Sequence, residues 1–278
     1  MRGAALAVVT GASSGIGAAT ARALAARGSH VLAGVRSEAA AEALRAERIE
    51  PVPLDITDAV QIAALADRVA GDDRRLRALV NNAGVTLTAP VEVVPLDDWR
   101  AHLEVNLLGH VAVTRALLPA LSRGARIVNV SSAAGIVAGP TMAPYSAGKF
   151  ALEGFSDALR RELANLGIRV VIVQPGTVRT AIWSKGDATT AALAEGMTEG
   201  QRLRYAPVLD AVTRLSTAHR GRGVTSDAAA RVVLRAITAS RPRARYRVGA
   251  DARLLAAAAR LLPDAALDAL VARVTGVR

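Results

Sequence analysis

From residue 4 to residue 249, short apolar runs alternate with alanine-rich stretches of helical periodicity. A chain written this way has few solutions other than successive βα units feeding a parallel sheet. Strands are predicted near Ala4–Val9, His30–Val35, Val52–Leu54, Arg77–Asn81, Arg126–Val130, Arg169–Val173 and Arg245–Gly249. Helices are predicted near Gly15–Arg27, Glu38–Glu47, Asp58–Ala70, Leu96–Ala120, Pro144–Leu166, Asp227–Ser240 and Ala252–Arg273. Right-handed crossovers then give an α/β fold, a doubly wound parallel sheet of about seven strands with helices on both faces. No linker or repeat interrupts residues 1–278, so a single domain is expected. The rhythm fails only between about Thr180 and Gly223, where Gly186, Thr189, Thr190, Gly196 and Gly200 mix with short apolar pieces. Insertions at the carboxyl edge of an open α/β sheet lie over its ligand crevice, which makes residues 181–223 a candidate substrate lid.

Composition narrows the chemistry. At 278 residues and 51% apolar the chain can bury a sizeable core. The absence of cysteine excludes disulfides, thiolate catalysis and Cys-ligated metal sites, no metal site is expected, and a reducing, cytoplasmic interior is. The net charge of +11 does not indicate nucleic acid, because 33 of the 35 basic residues are arginines scattered through helices without interleaved aromatics. Small phosphate-bearing ligands suit it equally well. Lys149 and Lys185 are informative as the two lysines in a chain that otherwise writes its cations as arginine. The apolar start after Arg2 is too short for a signal peptide, and no window reaches the length of a membrane span. Asn129-Val130-Ser131 matches a glycosylation sequon but sits in a strand pattern.

Thr10-Gly11-Ala12-Ser13-Ser14-Gly15-Ile16-Gly17 joins the first strand to the first helix. Glycines there let the backbone approach a pyrophosphate, and the free amides at the helix start complement its charge. The second strand ends Gly34-Val35-Arg36-Ser37, without the acidic residue that binds a ribose 2′-hydroxyl. Arg36 can instead fork onto a 2′-phosphate, so NADP is favoured over NAD. At the third strand end, Asp55 can accept from an adenine amino group and the Ile56 amide can donate back. At the fourth, Asn81-Asn82-Ala83-Gly84 lets a ribose lie against backbone.

Two serine motifs compete. Gly11 to Gly15 satisfies G-x-S-x-G with Ser13 as nucleophile and His219 as a later base, and Ser146-x-x-Lys149 satisfies S-x-x-K. The S-D-N and K-T-G companions of the second are missing. The first lies on the opening strand, where few elements precede it to build an oxyanion hole.

Tyr145 and Lys149 stand four residues apart at the start of a long helix, which puts phenol and ammonium on one face. A neighbouring positive charge lowers a phenol pKa by about 1–3 units, so Tyr145 is expected to exchange protons near neutrality. Ser132, at the end of the fifth strand, can hold the oxygen of a carbonyl or alcohol. Asn106, a polar residue among apolar neighbours, can anchor a water that links Lys149 to solvent.

Taken in order, Thr10-Gly11-x3-Gly15-Ile16-Gly17, Asp55, Asn81-Asn82-Ala83-Gly84, Asn106, Ser132, Tyr145-x3-Lys149 and Pro175-Gly176-Thr177-Val178-Arg179-Thr180 resemble the classical short-chain dehydrogenase/reductase family over residues 4 to 180. The resemblance implies a Rossmann-type fold and hydride transfer between a nicotinamide and a carbonyl or alcohol. Tyr145 would be its general acid/base, Lys149 would grip the nicotinamide ribose, Ser132 would orient the substrate oxygen and Asn106 would complete a proton relay. The segment Pro175, Gly176, Val178 and Thr180 would contact the carboxamide or phosphates. Residues 150–163 look most like the retinol and hydroxysteroid dehydrogenase branch, which implies a bulky apolar substrate. Ser14 stands where many NADP-using relatives carry a basic residue, so cofactor choice rests on Arg36. The family also implies a homodimer or homotetramer, and the lack of a spanning apolar window gives the expectation of no membrane insertion. Arg241, Arg243, Arg245 and Arg247 share one face of the last strand and fit an exposed or subunit-facing edge, and the C-terminal leucines fit packing on the body or a sister subunit. The alternative from another class is an NADPH-binding sensor or scaffold, which would have no need of a tuned phenol.

Overall fold

In the computed structural model of the chain, residues 5–180, 182–219 and 222–277 are described; the side chains of residues 183–188, 216, 218 and 219 are not. Seven parallel strands form one sheet: β1 (Leu6–Val9), β2 (His30–Val35), β3 (Ile49–Pro53), β4 (Leu76–Asn81), β5 (Leu121–Val130), β6 (Arg169–Pro175) and β7 (Arg245–Val248). Their order across the sheet is β3-β2-β1-β4-β5-β6-β7. The chain builds outward from β1 to β3 and then restarts on the other side of β1. The reversal between β1 and β4 opens a crevice at their carboxyl ends.

Alternation along the strands sends side chains to two cores. Ala7 and Val9 face one, with Ala18, Ala21 and Leu24 of α1 (Gly15–Ala25) and Ala229, Val233 and Ala236 of a helix at Ser226–Thr238. Leu6 and Val8 face the other, with Ile62, Leu65 and Val69 of the helix Ala59–Ala70, and Val113, Leu117 and Leu159 from later helices. Both faces of every central strand are therefore buried, as the doubly wound expectation requires.

Several boundaries differ from the sequence reading for identifiable reasons. β3 begins at Ile49, not Val52, because its prolines, Pro51 and Pro53, are tolerated on an edge strand. The single helix expected over Leu96–Ala120 is three pieces: α-helix Leu96–Leu103, a π-helical turn Glu104–Leu108 and α-helix Gly109–Leu117, followed by a short 3-10 turn. The one expected over Ala252–Arg273 divides into Ala250–Leu261 and Asp264–Thr275, with Pro263 as N-cap of the second. The stretch read as irregular after Thr180 holds two helices, Ile182–Glu195 and Glu199–His219, the second with Pro207 inside it. Glycines and threonines lower helix propensity there without preventing a helix.

At the amino-terminal side of the sheet an ion-pair network joins β3 to the helix Ala59–Ala70. Glu50 accepts from Arg68 at 2.9 and 2.8 Å and meets His30 at 2.9 Å, and Asp72 accepts from Arg68 and Arg74, each at 2.7 Å. The Arg68 hydrogen bonds outweigh burial and hold the Glu50 carboxyl at about 2, and Arg74 and Arg68 hold Asp72 below the usual carboxylate range. A depressed folded-state pKa contributes stability that is present above the unfolded value and is lost as pH falls toward the folded one. The urea midpoint is therefore expected to drop between about pH 4.5 and pH 2, and Arg68→Ala should flatten that drop, as measured by unfolding across pH.

Candidate active site

The carboxyl ends of β1 to β6 converge on one cleft of roughly 300 Å³ that lies across the β1/β4 switch point. Its floor is the turn from β1 into α1. Gly11 (φ +62°) takes a left-handed conformation, and a Cβ there would lie 2.6 Å from Ala83 Cα. Gly15 (φ +58°) is likewise left-handed, with Thr180 Cγ2 3.0 Å from where its Cβ would be. Any larger residue at these two positions fills the cradle or displaces its walls. Ser14 is the N-cap of α1 but makes no side-chain cap bond, and no acidic residue stands in the first turn. The first amides of α1 thus remain available to an anion.

Thr10 binds this turn to the fourth strand end: its Oγ1 accepts from Asn82 N at 2.9 Å and Ala83 N at 3.0 Å. Asn82 Nδ2 donates to the carbonyls of Thr10 and Gly11 at 3.0 and 3.1 Å. Asn82, Ala83 and Gly84 border the cleft, as do Ser13, Ser14 and Ile16. Gly17 does not. It packs behind the loop against Gly11 O and Asn82, which leaves no room for a side chain there.

Arg36 and Asp55 stand together at one end of the cleft. Burial opposes ionisation of Asp55, but hydrogen bonds from Thr57 N (2.9 Å) and Thr57 Oγ1 (2.7 Å), with the Arg36 charge, bring its carboxyl below the usual value. The Asp55 amide is taken by Gln61 Oε1 at 2.7 Å, while Ile56 borders the cleft.

At the other end stand Ser132, Tyr145 and Lys149. Tyr145 and Lys149 lie one turn apart on α-helix Ala143–Glu162 and are 5% and 3% exposed. Lys149 Nζ sits 5.8 Å from the Tyr145 ring centroid and donates to Val130 O at 3.2 Å. Ser132 hydrogen-bonds the phenol, and its Oγ also accepts from Ala134 N at 3.1 Å. Here the sequence expectation about acidity is corrected. Burial raises the Tyr145 pKa, the Ser132 hydrogen bond only partly opposes it, and the lysine does not reverse it. Burial also pulls Lys149 down to about 8, against the supporting charge of Glu153. Two groups in one dry pocket both shift toward their neutral forms.

Asn106 is fully buried behind this group, within the π-helical turn. Its Nδ2 donates to Val85 O (3.0 Å) and His102 O (3.2 Å), and its Oδ1 accepts from Val85 N at 3.3 Å. The widened turn directs its amide inward, a use for which π-bulges recur at functional sites. Gly84 is squeezed here: a Cβ on it would stand 3.1 Å from Asn106 Oδ1 and 3.6 Å from Lys149 Nζ. Pro175, Gly176, Val178 and Thr180 close the cleft beyond β6.

Sequence reading missed three residues. His102 lies edge-on to Tyr145, with ring centroids 6.2 Å apart at 74°, and His110 is fully buried. Burial and Lys149 hold both imidazoles neutral, at about 4 and about 3. Their spacing about Asn106, four residues on either side, was a readable signal. Asp251, whose Oδ2 accepts from Thr177 N at 2.6 Å and so holds the loop after β6, gave none, because 74 residues separate the partners. Lys185 and the hydrolase base His219 have side chains outside the described residues. Among the described residues no cluster of His, Asp or Glu could hold a metal, and no helix is long and apolar enough to cross a membrane.

A family model described as short chain dehydrogenase matches residues 5–191. The chain is 37% identical to human retinol dehydrogenase 16 over 274 residues, 95% of this chain and 86% of that one. It is 33% identical to an NADPH-dependent 3-dehydrocapnine reductase of Ornithobacterium rhinotracheale, over 94% of each chain. Among solved structures, a short-chain dehydrogenase of Streptomyces avermitilis superposes with a TM-score of 0.77 at 30% identity, covering 99% of this chain and 96% of that one. One from Burkholderia cenocepacia, in complex with NADP, superposes with a TM-score of 0.74 at 30% identity, covering 99% and 98%. Another, from Burkholderia phymatum in complex with NAD, gives 0.78 at 27% identity, covering 94% and 93%. The chain belongs to the short-chain dehydrogenase/reductase family, in its retinol and hydroxysteroid dehydrogenase branch, and is an oxidoreductase.

Proposed function

We propose that the protein is an NADP(H)-dependent oxidoreductase that interconverts a carbonyl and an alcohol on a bulky apolar substrate, with NAD(H) as the weaker alternative. One observation carries this reading: a single cleft has a guanidinium with no competing carboxylate on its own strand end, and a buried phenol, ammonium and hydroxyl at the other. The glycine turn and the uncapped start of α1 suit a pyrophosphate, Arg36 suits a 2′-phosphate, and Asn82 to Gly84 with Lys149 suit the riboses. When bound, the nicotinamide supplies or accepts the hydride.

The chain's own residues handle the proton. Ser132 Oγ holds the substrate oxygen against Tyr145 Oη, which gives it a proton in reduction and takes one in oxidation. Lys149 Nζ, lowered to about 8 and so still an ammonium at neutral pH that gives up its proton readily, replaces the proton on Tyr145, and Asn106 aligns the relay behind it. Burial keeps Tyr145 protonated through neutral pH, which suits carbonyl reduction.

Val85, Val105 and Ile182 give the substrate end apolar walls. We assign the helices Ile182–Glu195 and Glu199–His219 as a lid docked on the segment after β4. Thr86 Oγ1 donates to Ile182 O at 3.0 Å, Thr88 and Thr190 hydroxyls meet at 3.1 Å, and Leu193 packs on Leu87, Ala89 and Val94. Glu92 adds bonds to Arg204 (2.6 Å) and Tyr205 (2.9 Å). Thr88→Ala is expected to raise the substrate KM about tenfold and to leave NADPH affinity unchanged, as read from steady-state kinetics beside a fluorescence titration.

The protein is proposed to work as one domain, inside the cell where a dissociable coenzyme is retained, and as a homodimer or homotetramer. Exposed Leu108 and Phe150, on neighbouring helices, support a subunit contact. The test is a scan of apolar ketones, aldehydes and alcohols followed by NADPH absorbance. Turnover is expected; tight NADPH binding with no turnover on any of them would favour the sensor reading.

A further inference from the structure

Glu153 follows Lys149 by one turn on the helix Ala143–Glu162, the spacing at which a carboxylate and an ammonium ordinarily pair. Both side chains are buried, and in a core an unpaired carboxylate is drawn to the nearest ammonium. The two nevertheless stay apart. Lys149 Nζ donates to Val130 O, while both Glu153 oxygens are engaged elsewhere: Oε1 accepts from Gln174 Nε2 at 3.0 Å and Oε2 from Arg245 Nε at 3.0 Å. Arg245 is itself anchored, since its terminal nitrogens donate to the two Asp157 oxygens at 3.2 and 3.0 Å.

We propose that Gln174 of β6 and Arg245 of β7 form a clamp that withholds Glu153 from Lys149, so that Lys149 stays beside Tyr145 and Val130 O instead of turning down the helix into an ion pair. Glu153, Gln174 and Arg245 are then positioning residues, and the last strand acts on the active site without touching it. The inference rests on the role of Lys149 proposed above. The other ionisable groups near Lys149 are Tyr145 on its own helix and the neutral imidazoles of His102, on the helix Leu96–Leu103, and His110, on the helix Gly109–Leu117. Glu153 is the carboxylate whose charge supports the ammonium, and the clamp keeps that support at a distance.

The chain has two lysines, so protein labelled at lysine side chains gives two resonances, and Lys149→Arg identifies the one that belongs to Lys149. Arg245→Met should free Glu153, raise the Lys149 titration by about one pH unit or more, and lower kcat/KM and NADPH affinity at least about tenfold. The double variant Arg245→Met/Glu153→Gln should recover most of that loss, because no carboxylate remains to capture the lysine. A purely structural clamp predicts the opposite: the double variant would be no better than Arg245→Met. Glu153→Gln alone, which retains hydrogen bonding to the clamp, should lower the Lys149 titration and guards against misfolding of the arginine variant. An unmoved lysine titration in either single variant, or no recovery in the double, overturns the proposal. Full activity in Lys149→Ala would instead overturn the functional reading, with the lysine titrations of the other variants still interpretable.

Discussion

Tyr145→Phe is expected to lower kcat about a thousandfold while NADPH affinity changes by no more than about twofold. The two readouts should separate because phenylalanine keeps everything about the ring except its oxygen. The edge contact with His102 at 6.2 Å and the position of Lys149 5.8 Å from the ring centroid are unaffected. Only Oη and its hydrogen bond with Ser132 are lost. Stopped-flow or steady-state assays beside a fluorescence titration check both halves, and turnover retained in Tyr145→Phe would remove the proton-transfer assignment. In the native protein the raised phenol pKa means that carbonyl reduction should hold level across neutral pH. Alcohol oxidation, which needs the phenolate, should accelerate as pH rises.

Local spacing made much of the site legible. The glycine turn, the Asn82 to Gly84 turn and the Tyr145/Lys149 pair each depend on residues within a few positions of one another, and their strand and helix contexts followed from apolar periodicity. The sign of the Tyr145 shift was not legible, because it depends on how completely the surrounding elements exclude water and on whether desolvation or a nearby charge is larger. The π-helical turn at Glu104–Leu108 was hidden for a different reason: a slip of one backbone hydrogen bond leaves the side-chain pattern almost intact. The helices Ile182–Glu195 and Glu199–His219 carried weak amphipathic signals and a proline at 207, so their threonines and glycines read as loop. Contacts that join distant positions, Asp251 with Thr177 and Arg245 with Glu153, could be seen only once the fold had brought β6 and β7 together.

The proposed preference for NADP rests on one side chain, Arg36. Arg36→Asp is expected to shift the ratio of kcat/KM for NADPH over NADH about 10²–10³-fold toward NADH, measured with one substrate at fixed ionic strength. Removing a forked, charge-assisted contact to a phosphate costs about 1.5–3 kcal/mol, which is roughly 10- to 100-fold. The new carboxylate then acts in both directions, repelling a 2′-phosphate and accepting from a 2′-hydroxyl. Arg36→Ala separates these contributions, since it should weaken NADPH without improving NADH. The neighbouring Asp55 limits the gain. Its carboxyl is now supported by the Arg36 charge and by Thr57, and a second carboxylate at the same end of the cleft would raise its pKa. The NADH activity of Arg36→Asp should therefore decline as pH falls into the carboxylate range, and that of Arg36→Ala should decline less. Unchanged kinetics with both coenzymes in Arg36→Asp would mean that the guanidinium faces solvent, and would overturn its assignment to the 2′-phosphate.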